Sequence, residues 1–233
     1  MSYKYLSKLF VFSLVIFSCK KDLPSCHGNC TTILITGKAY VVPGLTPLPN
    51  ISVEANFSIN RYCIGCTFYS IGTEKTKNDG TFSIQRTIDT SYFKDYHLNV
   101  RIPPDSNYII LPHEGGHVWI DNYSPTAFRN LNFEYYRKTT VHINLHRTKS
   151  DAFAYTFVYN QYESPAFGEQ PGGGYVSISG QRPADTSFTF STPADVFTKI
   201  IVEKKLTPNG PFIKQIDSLK CISNNPNIID INY

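Results

Sequence analysis

The sequence predicts an all-β protein in which two antiparallel β-sandwich domains follow an N-terminal export signal. Strand-favouring residues are abundant, with 16 tyrosines and 16 phenylalanines in 233 residues. Short segments of alternating apolar and polar residues recur between turn-forming residues, and the 3.6-residue period of an amphipathic helix is nearly absent. The length suits two small domains, on a typical size of about 100–200 residues each.

Residues 1–18 form the predicted signal peptide. Lys4 and Lys8 make its start positive, an apolar run covers residues 9–17, and Ser18 precedes Cys19. The apolar run is too short to span a bilayer as a mature helix. Two alternatives remain open, namely an ordinary secretory signal and an uncleaved N-terminal helix next to an unmodified Cys19.

The segment Val15-Ile16-Phe17-Ser18-Cys19 resembles a lipobox, the processing site of bacterial lipoproteins, although Phe17 is bulkier than the usual small residue. The resemblance implies that Cys19 becomes the N-terminus and carries fatty acyl chains such as palmitate. These chains would hold the protein to a membrane, since each buried methylene contributes roughly 0.8 kcal/mol. Lys20-Lys21-Asp22 resembles the charged tether of lipoproteins from Bacteroidetes-type bacteria, and residues 19–31 are predicted as a lipidated tether.

The resemblance to lipoproteins also implies a location in the cell envelope. The absence of Asp at position 20 favours the outer membrane, and both its periplasmic side and the cell surface remain open. Removing residues 1–18 takes away two lysines and no acid, which lowers the formal charge from +4 to +2. So small a charge predicts no field that would gather nucleic acid, and no nucleic-acid partner is expected.

Residues 32–148 are predicted to form the first sandwich. Thr73–Lys77 and Thr81–Arg86 flank Asn78-Asp79-Gly80, and because these three residues tolerate positive φ, we expect a tight hairpin there. A strand over 139–147, in which apolar residues alternate, is expected to close this domain. The other strands predicted for it are 33–42, 51–57, 96–102, 108–111, 117–121 and 131–136.

Three segments of the first sandwich resemble the carboxypeptidase-regulatory or transthyretin-like family. They are Thr36–Ala39 in the opening strand, Pro47–Val53 at the entry to the next strand, and Thr76–Phe82 around the hairpin. The resemblance covers about residues 32–148. It implies an Ig-like module of about seven strands that binds or scaffolds and carries out no chemistry.

Residues 149–233 are predicted to form a second sandwich, because short strands again alternate with turn-forming residues. Gly168–Gly174, with its proline and three consecutive glycines, is predicted as a loop, and so is Thr207–Gly210. The predicted strands are 153–159, 175–179, 187–190, 198–204, 212–221 and 228–232.

His113-Glu114-Gly115-Gly116-His117 matches the pattern H-E-x-x-H, which on a helix binds zinc. Two central glycines and a following strand argue against a helix, so a Gly-Gly turn with a histidine on each arm is the expected structure. His142 and His146 have the same spacing on a predicted strand, where their separation of roughly 13 Å would prevent chelation. No metal or other cofactor is predicted, with His113 and His117 as the weak candidates.

Five cysteines remain in the chain after Cys19. Cys26, Cys30, Cys63 and Cys66 are predicted to form disulfides, since an envelope protein is in an oxidising compartment. A four-cysteine zinc knot built from the same residues is the alternative. Cys221 is expected to stay free.

The predicted function is non-catalytic binding or scaffolding by a lipid-anchored envelope protein, with an unidentified protein or glycan as partner. No G-x-S-x-G elbow, P-loop or dinucleotide fingerprint indicates an enzyme. Two alternatives are a carbohydrate-binding accessory of a surface uptake system and a zinc hydrolase using His113, Glu114 and His117. Aromatic residues are candidates for binding, although each is more typical of the core: Tyr62, Phe68, Tyr69, Trp119, Tyr135, Tyr136 and Tyr162.

Overall fold

The fold is all-β. The computed structural model describes residues 20–59, 68–112, 116–146, 155–179 and 185–232. These residues form strands and one short 3-10 helix, Thr90–Lys94. In chain order the strands are β1 (Lys20–Asp22), β2 (Cys30–Val42), β3 (Thr46–Pro47), β4 (Ser52–Ser58), β5 (Phe68–Lys75), β6 (Thr81–Asp89), β7 (His97–Arg101), β8 (Tyr108–Leu111), β9 (His117–Ile120), β10 (Leu131–His146), β11 (Tyr155–Ser164), β12 (Gly168–Ser179), β13 (Asp185–Pro193), β14 (Phe197–Lys205), β15 (Ile213–Lys220) and β16 (Ile228–Asn232).

The first module is a sandwich made of β1–β9 and residues 131–137 of β10. One sheet has the order β1-β5-β4-β7-β9, and the other contains β6, β3, β2, β10 and β8. Apolar residues alternate along these strands, so each sheet turns one apolar face towards the other. The buried core between the sheets includes Ile35, Phe57, Leu98, Val100 and Phe133.

The strand β10 runs through both modules. Its first part pairs in parallel with β2, from Leu131 opposite Gly37 to Tyr136 opposite Val42. Its second part pairs with β13 and β16 instead. Residues 131–136 and 139–147 were predicted as separate strands of the first sandwich, but residues 131–146 form one strand that continues into the second module, and residue 147 lies outside the described chain.

The second module is a sandwich made of residues 138–146 of β10 and strands β11–β16. A sheet of β13, β10 and β16 packs on a four-stranded sheet with the order β12-β11-β14-β15. Val141, Ile143 and Leu145 of β10 belong to this core, together with Val158 and Ile200. Their alternation on β10 was predicted correctly, but they pack in the second module and not in the first. The predicted division near residue 148 stays a prediction, because residues 147–154 lie outside the described chain.

The turn at residues 78–80 joins two sheets. Gly80 has a φ of +77°, and its N–H donates to the Lys77 carbonyl, as the sequence led us to expect of a turn. The strands on either side do not pair, because β5 joins β4 and β1 while β6 joins β2. The predicted hairpin is therefore wrong, since local turn chemistry sets the reversal of the chain but not the partner of each strand.

Residues 20–31, which were predicted as a tether, belong to the folded body. β1 pairs in parallel with β5, with Lys20 opposite Phe68. Leu23 is buried in the first core. A disulfide joins Cys26 to Cys30 directly before β2.

A buried acid joins the two modules. Glu134 lies on the outer face of β10 and is fully buried. Its Oε1 accepts hydrogen bonds from the Tyr40 hydroxyl and the Ala166 N–H, both at 3.1 Å. Its Oε2 accepts from the hydroxyls of Tyr136 at 2.8 Å and Ser164 at 2.6 Å. Two donors come from each module, and with them the carboxylate has four hydrogen-bond donors around it in place of water.

The tyrosines around Glu134 stay protonated and can therefore donate hydrogen bonds to it. Burial, followed by the neighbouring carboxylate, raises the pKa of Tyr40. Burial also raises the pKa of Tyr136, and the hydrogen bond to Glu134 acts in the same direction. Both phenols therefore stay protonated at physiological pH. Tyr40 and Tyr136 pack with Tyr162 of β11 and with Val42 and Leu111, so an apolar cluster surrounds the buried acid.

Candidate functional site

Several residues that the sequence singled out lie outside the described chain, and the predictions about them stay predictions: Cys19, Tyr62, Cys63, Cys66, His113 and Glu114. Cys26 and Cys30 form a disulfide, so neither sulfur is available as a thiolate ligand for zinc. Cys221 is free, as expected, and it is fully buried directly after β15 and not inside the predicted strand. Burial raises the pKa of its thiol, which disfavours the reactive thiolate.

His117 lies on β9, an edge strand of the first module. Its Nδ1 is 3.1 Å from the Asn99 side-chain amide nitrogen, and its ring stacks on Trp119 with centroids 6.0 Å apart. Within the described residues no group of three or more His, Cys, Asp or Glu side chains is arranged to hold a metal. The zinc-hydrolase alternative remains a prediction without a supporting contact.

His142 and His146 lie on one strand and have different partners. The Nδ1 of His142 is 3.1 Å from the Thr189 hydroxyl, whereas the Nε2 of His146 is 3.3 Å from the Asp230 carboxylate. The hydrogen bond with Asp230 raises the pKa of His146 above its ordinary value. Both histidines pair with neighbouring strands of the second module.

The aromatic residues proposed from sequence are mostly structural. Tyr135, Tyr136 and Tyr162 are buried in the core or between the modules, as the core interpretation predicted. Trp119 is half-buried and stacked on His117. Phe68 and Tyr69 are half-buried at the end of the first module where β1 and β5 begin.

An exposed aromatic surface lies elsewhere, on the outer side of the four-stranded sheet of the second module. We call it the aromatic face and define it by Phe157, Tyr159, Tyr175, Ile216 and Phe212. Tyr175 is 65% exposed, while Ile216 and Phe212 are also exposed. The alternation of β11 turns Phe157 and Tyr159 outwards, because Val158 between them points into the core.

Strand register aligns the centre of the aromatic face. Tyr159 is directly opposite Tyr175 on β12 and Ile201 on β14, and Ile201 is opposite Ile216 on β15. Directly paired residues lie on the same side of a sheet, so these four side chains form one row across all four strands. Ile201 in this row is only 1% exposed, whereas Tyr175 and Ile216 at the two ends are exposed.

The rings on this face contact one another. Phe157 stacks on Tyr175 with centroids 6.0 Å apart and an interplanar angle of 26°. The ring centroids of Phe212 and Phe157 are 5.7 Å apart, and the Lys205 ammonium is 4.3 Å from the centre of the Phe212 ring. These contacts hold the rings in fixed positions while leaving ring area open to solvent.

A groove of about 590 Å³ runs next to the row, lined by Tyr159, Gln161, Tyr175 and the segment from Pro171 to Gly174. This segment was predicted as a loop but belongs to β12, in which Gly172, Gly173 and Gly174 stand opposite the single residue Asn160. The Asn160 amide accepts from the Gly174 N–H at 2.9 Å and donates to the Ser191 carbonyl at 3.0 Å. A side chain at Gly174 would overlap the buried Phe190 ring, so the glycine allows β12 to pass close to β13.

Paired charges surround the aromatic face. Lys199 and Glu169 form an ion pair at 2.8 Å, and Lys214 lies 4.0 Å from Glu203. The Tyr159 hydroxyl donates to Glu203 at 2.9 Å. Burial and then this hydrogen bond raise the pKa of Tyr159 to about 12. Each of these two pairs is balanced, and Lys205 beside Phe212 adds one positive charge to the polar rim.

The sequence contained part of the signal for this face. Phe157 and Tyr159 alternate with Val158 in a predicted strand, which places two aromatic rings on one side. Tyr175 begins the predicted strand 175–179 but was not singled out as a binding residue. Register brings Tyr175 next to Tyr159, and register cannot be read from one strand alone.

No protein-family model matches the chain, and no curated protein matches it. Among solved structures it is similar to a double mutant of the shaft pilin SpaA from Lactobacillus rhamnosus GG, at a TM-score of 0.33 and 10% identity, covering 87% of this chain and 98% of that chain. It is also similar to a candidate cell adhesion protein from Bacteroides ovatus, at a TM-score of 0.28 and 13% identity, covering 87% of this chain and 92% of that chain. At these identities and TM-scores the similarities carry no argument about binding, and the resemblance to the carboxypeptidase-regulatory family stays a prediction.

No helix in the described part of the chain is long and apolar enough to cross a membrane.

Proposed function

We propose that the protein is a non-catalytic binding protein of the bacterial envelope, anchored by lipid on Cys19, whose aromatic face binds an uncharged glycan chain. The observation that carries the proposal is the row of side chains from Tyr175 through Tyr159 to Ile216, with exposed ring area and a polar rim. The signal-like residues 1–18 and the disulfide between Cys26 and Cys30 support an oxidising compartment outside the cytoplasm.

The chemistry of the face fits a sugar chain. A pyranose ring presents a face of C–H bonds, whose partial positive charge is attracted to the negative π face of a tyrosine or phenylalanine ring. Its hydroxyl groups need hydrogen-bond partners, which Gln161 and the carboxylate of Glu203 provide next to the rings. The two ion pairs are each balanced and Lys205 adds a single positive charge, so the face has no strong field that would select a polyanion.

The test is binding of the full-length processed protein, held in detergent micelles, to a glycan array and then to the best glycan in solution. We expect Tyr175→Ala to weaken binding about tenfold, because the loss of buried ring area adds to a stacking contribution of about 0.5–1.5 kcal/mol, and 1.4 kcal/mol is tenfold.

The matched control is Phe197→Ala. Phe197 is 63% exposed and lies on the same strand as Ile201, four residues away, or about 13 Å along the strand. We expect its loss to leave the affinity unchanged. If no glycan binds above background, or if both variants weaken binding equally, the proposed function is wrong.

A further inference from the structure

The position of the anchor follows from strand topology. β1 runs parallel to β5, so the chain enters the fold at the end of the first module where Lys20 lies opposite Phe68. The same end contains the beginning of β2, since Cys30 pairs with Asp89 and the 3-10 helix follows. Cys19 directly precedes Lys20 in the sequence, so a lipid on Cys19 would be attached one residue from the paired strand β1.

No flexible linker separates the proposed anchor at Cys19 from the described fold, which begins at Lys20. Residues 20–22 are paired with β5, and Leu23 is buried in the core. The headgroup layer on each side of a bilayer is roughly 5–8 Å thick, from about 30 Å of hydrocarbon and about 40–45 Å in total. A body attached within one residue of a lipidated cysteine therefore reaches this layer.

The surface at this end is rich in tyrosine. We call it the basal surface and define it by Ile59, Tyr69, Tyr92, Tyr96 and Tyr123. Ile59 is 54% exposed and Tyr123 is 37% exposed, while the other three tyrosines are half-buried.

The half-buried tyrosines form one cluster. The centroids of Tyr69 and Tyr96 are 5.4 Å apart, and those of Tyr92 and Tyr96 are 5.6 Å apart. The exposed side chains of Lys21 and Lys94 lie at the same end, and the exposed acids Asp22 and Asp95 follow them directly, so the inferred contact rests on the rings and not on net charge. Tyrosine is enriched where membrane meets water, because its ring is apolar and its hydroxyl is polar, and lysine stems extend to the headgroups.

We propose that the basal surface lies in the headgroup layer of the membrane and holds the first module upright on it. The inference rests on the proposed lipid on Cys19 and adds a direct contact between protein and bilayer. β2 then runs away from the membrane for about 40 Å from Cys30 to Val42, and the second module begins beyond it. The aromatic face is thereby presented at a distance from the bilayer.

The test uses tryptophan fluorescence of the full-length processed protein in phosphatidylcholine vesicles whose acyl chains are brominated near the headgroup. Trp119 is the only tryptophan, so Trp119→Phe gives a silent background. Tyr123→Trp then reports on the basal surface, and Phe197→Trp is the matched aromatic control in the second module. We expect the brominated lipid to quench Tyr123→Trp at least about twofold and to leave Phe197→Trp unchanged, because bromine quenches only at contact.

Flotation of the vesicles and the mass of the Cys19 peptide separate the two possible failures. If Cys19 carries lipid and the protein floats, equal quenching at both positions overturns the basal contact but leaves the anchor intact. If Cys19 carries no lipid, the anchor is wrong and the inference is overturned with it.

Discussion

Glu134 allows the packing of the two modules to be measured through one hydrogen bond. The Ser164 hydroxyl donates to its Oε2 at 2.6 Å inside a fully buried site. A hydrogen bond to a charged group contributes about 1.5–3 kcal/mol, and one between neutral groups about 0.5–1.5 kcal/mol. Glu134→Gln keeps the shape but removes the charge. Ser164→Ala should therefore reduce the free energy of unfolding by about 1 kcal/mol less in Glu134→Gln than in the wild-type chain.

Urea unfolding of the wild type, the two single variants and the double variant measures this coupling, with Trp119 fluorescence and far-ultraviolet circular dichroism as readouts. Thr32→Ala is the control for a hydroxyl elsewhere, since Thr32 pairs with Thr87 on an exposed face. We expect Thr32→Ala and Glu134→Gln to be additive. Additivity within about 0.3–0.5 kcal/mol for Ser164→Ala and Glu134→Gln would refute the buried bond.

Three further outcomes are expected. Gly174→Ala should destabilise the protein by about 1–3 kcal/mol, because the added methyl group overlaps the Phe190 ring. In urea unfolding, adding Phe190→Leu should recover part of that loss. No loss of stability in Gly174→Ala would contradict the close approach of Gly174 to Phe190. Because the pKa of His146 is raised in the folded protein, its ionisation contributes stability below the unfolded pKa of about 6.5, and this stability is lost as pH rises through the folded pKa. Asp230→Asn should lower the pKa of His146 measured by NMR. An unchanged pKa would contradict the contact between the two side chains. Cys221 should be alkylated only after unfolding, as judged by peptide mass spectrometry, whereas rapid alkylation of the native protein would contradict its burial.

Local alternation predicted most strands because it records which side of the chain faces a core. The strands Tyr108–Leu111 and Ile228–Asn232 have the predicted bounds, and Ser52–Ser58 is shifted by one residue. β12 begins earlier than predicted, since glycine and proline usually indicate a loop but here allow the strand to pass close to Phe190.

Sheet partners were harder to predict because they depend on contacts distant in sequence. The turn at Gly80 was predicted correctly, yet its flanking strands enter different sheets. β10 was predicted as two strands of one domain. Alternation along a strand does not show which strands it pairs with, and the partners of β10 change after residue 137. Glu134 gave no signal of burial, because its four donors come from separate strands and a turn.

The candidate site was only partly predictable for the same reason. Tyr135 and Tyr162 were considered for binding but are buried, as large aromatic side chains commonly are. Tyr175 became a candidate only through its register with Tyr159. The direction of a single ring can thus be predicted from alternation in the sequence. The surface that several rings form together can be recognised only once the pairing of the strands is known.

Amide chemical-shift mapping by NMR, during titration with the glycan that binds best on the array, tests binding through the aromatic face most directly. We expect the largest shifts in residues 157–161 of β11 and 171–177 of β12, next to the groove and the row of rings. Shifts that are largest in the first module, or spread evenly over the chain, would contradict it.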